Sequence, residues 1–136
     1  MAGAPVDVLR RVPLFADLGK RDLEQVARLF KARRFPAGET VIREGTGGGA
    51  FYVVESGEAA ITIGGEGRGT LRPGDYFGEI ALIDEGTRMA TITATSDLGC
   101  WGLTLWEFRP LVQKNGSIAW GLLRSLARIL RENQAG

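Results

Sequence analysis

Two side chains of opposite charge, Glu79 and Arg88, stand nine positions apart in this 136-residue chain, with an apolar turn between them. The segment reads Phe77-Gly78-Glu79-Ile80-Ala81-Leu82-Ile83-Asp84-Glu85-Gly86-Thr87-Arg88-Met89-Ala90-Thr91. A Gly-Glu pair runs into a helical turn, Ile80 to Ile83. A polar loop, Asp84 to Thr87, then leads to Arg88 at the start of a strand. These features suit an anion carried on a sugar. Orphan backbone N–H groups at the start of a short helix bind anions. Gly78 lets a ligand approach the main chain with no Cβ in the way. Arg88 brings a planar fork that can make two charge-assisted bonds to phosphate oxygens. Glu79 is acceptor-only when ionised and fits a sugar hydroxyl. Taken singly, the two charges could equally be a surface ion pair worth at most about 1 kcal/mol.

The elements around this segment read as β. From Lys31 to Leu105, short runs rich in Val, Ile, Tyr and Thr alternate with glycine-bearing turns. The runs are Thr40–Arg43, Ala50–Glu55, Ala59–Ile63, Gly69–Leu71, Met89–Ala94 and Cys100–Leu105. Repeated short strands with such turns favour a sandwich or jelly roll. Helices flank them. Leu23, Val26, Ala27 and Phe30 recur at helical spacing, and Pro13-Leu14-Phe15 before them forms an apolar clamp expected to fold onto the barrel. After the strands, Thr104 and Glu107 have capping-box spacing, and Pro110 predicts a bent or separate first turn. Asn115-Gly116 is a stop, and Ser117 is the expected cap of a last helix running to about Asn133. On that helix Ile118, Ala119, Trp120, Leu122, Leu123, Leu126, Ala127, Ile129 and Leu130 cover about half the circumference, with Arg124, Arg128 and Arg131 opposite. The width leaves two readings open: a second contact, with a partner helix or a ligand, or a helix sunk deeply into its own domain.

Composition narrows the classes. Apolar residues at 44% and charged residues at 24% fit one globular domain, and a net charge of +1 argues for neither nucleic acid nor a membrane surface. No histidine is present, which removes the commonest general base and metal ligand. No nucleophile–base constellation appears either, so an enzyme is not expected, and neither a metal nor a cofactor is. The single cysteine, Cys100, cannot close an internal disulfide and reads as a small buried hydrophobe. With no signal peptide or membrane span, a cytoplasmic location is expected.

Phe77 to Ala94 resembles the phosphate-binding cassette of the cyclic-nucleotide-binding domain family, as found in catabolite activators and protein kinase A regulatory subunits. The likeness extends to Pro13-Leu14-Phe15, to Phe35-Pro36-Ala37-Gly38-Glu39, to Glu44-Gly45 and to Phe51-Tyr52-Val53-Val54-Glu55-Ser56-Gly57. Arg72-Pro73-Gly74-Asp75-Tyr76 also resembles family positions. The resemblance implies a mainly β jelly-roll barrel forming a single domain. It would comprise an N-terminal helical segment (residues 1–31), a barrel (32–105) with its cassette at 77–94, and C-terminal helices (106–136). By the same resemblance, Glu79 accepts from the ribose 2′-hydroxyl, Arg88 pairs with the cyclic phosphate, and the Ala81 and Met89 amides donate to it. Gly78 and Ile80 shape the ribose and base surface, and Trp120 is a candidate lid over the base. Guanine-selective members often carry Thr where Met89 stands, so cAMP is expected over cGMP. The implied function is a regulatory sensor read out by movement of the C-terminal helices. A ligand-free interaction domain is the alternative, Asp84-Glu85 ahead of Arg88 being the departure that favours it. The sensor half of a transcription regulator is a third reading. No helix-turn-helix follows the last helix in this chain, so no DNA-binding segment is expected in it. The wide apolar arc suggests a homodimer through the C-terminal helix, and 14 Arg against 3 Lys suggest a bacterial source.

Overall fold

The computed structural model describes residues 3–47, 50–84 and 88–135. Gly48, Gly49, Glu85, Gly86 and Thr87, which belong to turns and to the acidic loop singled out above, lie outside the described residues. The chain forms two compact units, Lys31–Leu105 and Met1–Phe30 with Trp106–Gly136.

The first unit holds eight strands: β1 (Lys31–Phe35), β2 (Thr40–Ile42), β3 (Ala50–Ser56), β4 (Ala59–Ile63), β5 (Glu66–Leu71), β6 (Tyr76–Phe77), β7 (Thr91–Ala94) and β8 (Leu98–Thr104). They make two antiparallel sheets of four, in the orders β1-β8-β3-β6 and β2-β7-β4-β5, a jelly roll. Period-two burial shows in β7, where Ile92 and Ala94 are buried and Thr91 and Thr93 half-buried. Tyr52, Val54 and Cys100 of one sheet share a core with Ala59, Leu71 and Ile92 of the other. The Cys100 thiol is pushed up to about 11, chiefly by burial, which keeps it neutral and unreactive.

Several strands differ from the sequence reading: β6 is absent from the expected runs, β5 starts at Glu66 instead of Gly69, and β1 and β7 depart as follows. β1 is not among the expected runs because Lys31, Arg33 and Arg34 break its apolar pattern; it is an edge strand, where charge is tolerated. The strand expected from Met89 starts at Thr91, because the Arg88 backbone bonds to the 45–46 segment instead of a neighbouring strand. The turns carry the glycine requirement. Gly64 and Gly65, both at positive φ (59° and 83°), make the two-residue link between β4 and β5. Gly57 sits at φ 80°, and a Cβ there would run into the Asp97 carbonyl oxygen.

The second unit holds α1 (Val6–Arg10), a 3-10 turn at Pro13–Phe15, α2 (Lys20–Ala27), α3 (Leu105–Lys114) and α4 (Gly116–Ala135). α1 is too short to show a helical period in sequence. α2 buries Leu23, Val26 and Ala27. The Pro13–Phe15 turn packs along α4, and the Phe15 and Phe108 rings lie 6.1 Å apart. Pro110 lies inside α3 without ending it; Pro110 and Trp106, whose carbonyl loses its helical partner, are both exposed to water. α4 begins one residue before Ser117. The Asn115 carbonyl accepts from Ile118 and Ala119, while its side chain donates to the Leu111 carbonyl at 2.7 Å and closes α3.

The buried face of α4 is rotated from the centre of its apolar arc. Ile118, Gly121, Leu122 and Ser125 are buried, and Arg128, expected in the solvent stripe, is half-buried. Arg128 Nε pairs with Asp17 at 3.2 Å and Nη2 donates to the Pro13 carbonyl at 2.8 Å. The Asp17 N–H donates to Ser125 Oγ at 3.2 Å. Small residues favour the rotation: a Cβ on Gly121 would lie 2.6 Å from the tip of the Leu18 side chain, which would have to shift. Trp120, Leu123 and Leu130 are left 65%, 56% and 61% exposed. Among the described residues no helix is long and apolar enough to cross a membrane.

Gly57→Ala combines a left-handed φ with a backbone clash, and should cost more than about 2 kcal/mol. Urea unfolding checks this; a loss below about 0.5 kcal/mol would show that the turn relaxes freely.

Candidate functional site

The cassette hangs between two anchored ends. At its start, β6 pairs with β3, and the buried Phe77 ring lies 5.3 Å from Tyr52. Gly78 then takes a left-handed φ of 89° and turns the chain into a 3-10 segment, Glu79–Leu82. Ala81 and Leu82 face inward and are buried, while Ile80 is exposed. The sequence predicted an apolar turn of helix at Ile80–Ile83; the observed turn is 3-10 and spans Glu79–Leu82, one residue earlier.

At the other end, Arg88 N–H donates to the Thr46 carbonyl and its own carbonyl accepts from Gly45 N–H, each at 2.9 Å. Its Nη2 donates to the Ala50 carbonyl at 2.6 Å. Gly78 makes this packing possible, since a Cβ there would lie 2.7 Å from both the Ala50 oxygen and Arg88 Nη1. Burial lowers the Arg88 pKa, and the neighbouring Tyr52 phenol opposes that shift. Among the described residues no carboxylate lies within ion-pair distance of Arg88, Glu79 included. Burial raises the Glu79 pKa above the usual carboxylate value, opposed by hydrogen bonds from its own and the Ile80 amides. Both groups are thus partly desolvated and neither neutralises the other.

A cavity of about 360 Å³ opens between them. Gly78, Glu79, Ile80, Ala81, Arg88 and Met89 all line it, with Ile42, Phe77, Asp84, Ala90 and Ile92 completing the wall. The volume falls in the range of small-molecule sites. Met89 is 80% exposed at its rim. The Ala81 N–H, expected to meet a phosphate, donates to the Gly78 carbonyl at 3.1 Å, the bond that makes the turn. Asp84 faces the cavity; Glu85 lies outside the described residues. Trp120 belongs to α4, in the other unit.

Sequence reasoning missed the apolar floor, Ile42 and Ile92, which are register partners on β2 and β7. Alternation along β7 carried that signal for Ile92, while β2 shows none for Ile42. It also missed the Ala50 carbonyl, for which no signal exists, because a main-chain acceptor has no residue type.

The family model described as "Cyclic nucleotide-binding domain" matches residues 32–115. The cAMP-dependent protein kinase regulatory subunit of Yarrowia lipolytica is 45% identical over 92 residues, 66% of this chain and 24% of that protein. The N-terminal domain of a transcriptional regulator from Streptomyces coelicolor A3(2) matches with a TM-score of 0.86 at 30% identity over 96% of each chain. The regulatory domain of Toxoplasma gondii PKA, solved with cAMP, matches with a TM-score of 0.69 at 35% identity, over 78% of this chain and 42% of that one. The chain spans about a quarter of the length of the curated kinase subunits it matches. A jelly roll, a cassette around one cavity and a family match over 84 residues (32–115) lead to one conclusion: the chain belongs to the cyclic nucleotide-binding domain family.

Proposed function

We propose that this chain binds cAMP in preference to cGMP, and that its N-terminal segment (residues 1–31), barrel (32–105) and C-terminal helices (106–136) act together as one regulatory sensor. One observation carries the reading: a desolvated guanidinium without an ion-pair partner among the described residues and a partly buried carboxyl line the same cavity. Arg88 meets the cyclic phosphate, Glu79 accepts from the ribose 2′-hydroxyl, and the Met89 amide donates to the phosphate. The Ala81 amide joins them by exchanging its bond to Gly78. Gly78 and Ile80 shape the sugar and base surface. The Met89 side chain has no hydroxyl for a guanine amino group, which favours adenine. The PKA domain solved with cAMP supports the ligand class.

Occupancy is read out by α4. A ligand shifts an equilibrium only by its differential affinity for two states, typically about 1–3 kcal/mol of coupling. Trp120, exposed on α4, swings over the base as a lid. The same helix carries a partner surface. Leu123, Ala127 and Leu130 follow 4–3 spacing, the seam of a two-stranded coiled coil, and the occupant it fits is the α4 of a second copy. The competing reading, a domain that keeps the fold without ligand, draws on Asp84, whose charge in the cavity opposes phosphate.

Calorimetric titration with cAMP and cGMP tests the ligand. Wild type should bind cAMP more tightly, and Arg88→Ala should lose about 100-fold, the scale of two charge-assisted bonds. Equal affinities of Arg88→Ala and wild type would remove Arg88 as anchor, and flat titrations would favour the ligand-free domain.

The sign of the pH effect follows from Glu79. Its pKa is raised by burial, and the ionised form is the stronger acceptor for the ribose hydroxyl. Affinity should therefore fall as pH drops through a window above the ordinary carboxylate range, and Glu79→Gln should flatten that slope.

For the seam, Leu123→Glu with Leu130→Glu should convert a dimer to a monomer in sedimentation equilibrium. A wild-type monomer at all concentrations would exclude the seam.

A further inference from the structure

Arg88 is fixed by its main chain as much as by its side chain. Gly45 and Thr46 bond the peptide on both sides of it, one donating to its carbonyl and one accepting from its N–H. Strand pairing does not hold this clamp, since β2 ends at Ile42 and its register with β7 is already irregular between Thr40 and Ile42. The clamp closes through Gly45 at φ 80°, with Thr46 Oγ1 donating to the Arg43 carbonyl at 2.6 Å.

The residue before the clamp ties it to the barrel. Glu44 N–H donates to Thr91 Oγ1 at 3.0 Å, and Thr91 Oγ1 donates back to Glu44 Oε1 at 3.2 Å. The Gly64 N–H donates to both Glu44 carboxylate oxygens, each at 3.1 Å. Gly64 opens the tight turn between β4 and β5, so Glu44 joins that hairpin tip, β7 and the clamp. Glu44 is half-buried and does not line the cavity.

We propose that Glu44 is a positioning residue that acts on the ligand only through Arg88; the inference rests on Arg88 being the phosphate contact. The carboxylate is chosen by its partners, an amide and a hydroxyl that both need acceptors. Released from them, the 44–46 segment loses its tie to the barrel, and the guanidinium loses its fixed backbone origin. Preorganised donors act only while held in place.

The test uses Glu44→Ala, Glu44→Gln, Arg88→Lys and the double variant Glu44→Ala/Arg88→Lys. Each is titrated calorimetrically with cAMP, and amide hydrogen exchange is followed without ligand. Glu44→Ala should weaken cAMP about tenfold, the scale of one or two part-exposed hydrogen bonds. Glu44→Gln keeps an acceptor for the Gly64 N–H and should stay within about threefold of wild type. In the Arg88→Lys background, Glu44→Ala should cost little further, the signature of two residues acting through one contact. The Arg88 and Gly45 amides should exchange faster in Glu44→Ala while the barrel strands stay protected. The proposal is overturned by unchanged affinity with the Arg88 amide still protected. It is also overturned by an equal loss in both backgrounds, or by lost protection spread across the barrel. Should wild type bind no cAMP, the ligand assignment fails, and Arg88 amide exchange alone then decides whether Glu44 holds the arginine.

Discussion

The site depends on one contact: a guanidinium wedged against the Ala50 carbonyl beside a glycine that leaves it room. Arg88 is drawn out of water without a carboxylate to neutralise it among the described residues, and burial lowers its pKa accordingly. Among the described residues its guanidinium donates to one neutral acceptor, the Ala50 carbonyl, which leaves donors unspent there. The phosphate contact proposed above would meet that residual demand. Glu79, though on the same wall, remains unpaired with Arg88 and available as an acceptor.

The arrangement follows from short-range backbone facts. Among the described residues Gly78 alone combines a left-handed φ with a close approach to two polar atoms, so the cassette turns there. Phe77, Ala81 and Leu82 then pin the turn by burial, while Glu79 and Ile80 are left toward the cavity. Apolar anchors and polar contacts alternate within six residues, so packing that stabilises the turn also aims the acid. The far end is held differently, through main-chain bonds to Gly45 and Thr46.

Much of this was legible in the sequence because it is written in residue types. Glu79, Arg88 and Gly78 announce themselves by charge, reach and lack of a side chain, and the β runs by alternation. What was not legible falls into two kinds. Main-chain partners such as the Ala50 carbonyl leave no trace in the identity of the residue that supplies them. The choice of buried face on α4 escaped because an apolar wheel counts large residues, whereas Gly121 and Ser125, by being small, set which side approaches the Pro13–Leu18 segment. Arg128 followed that rotation inward, and no periodicity would have moved it from the solvent stripe.

The pairing of β1 with β8 governs more than sheet order. Lys31 lies opposite Gly102, so the chain enters and leaves the barrel side by side. The helical unit is split in sequence by the whole barrel, and its Asp17–Arg128 bond spans 111 positions. Closing so long a loop from a disordered chain carries a logarithmic entropy penalty and slows assembly. A barrel already formed shortens that loop to the 14 positions from Asp17 to Lys31 and the 26 from Gly102 to Arg128. Pairing of the first and last strands thus lowers the entropy cost of bringing the two helical halves together by about 1 kcal/mol.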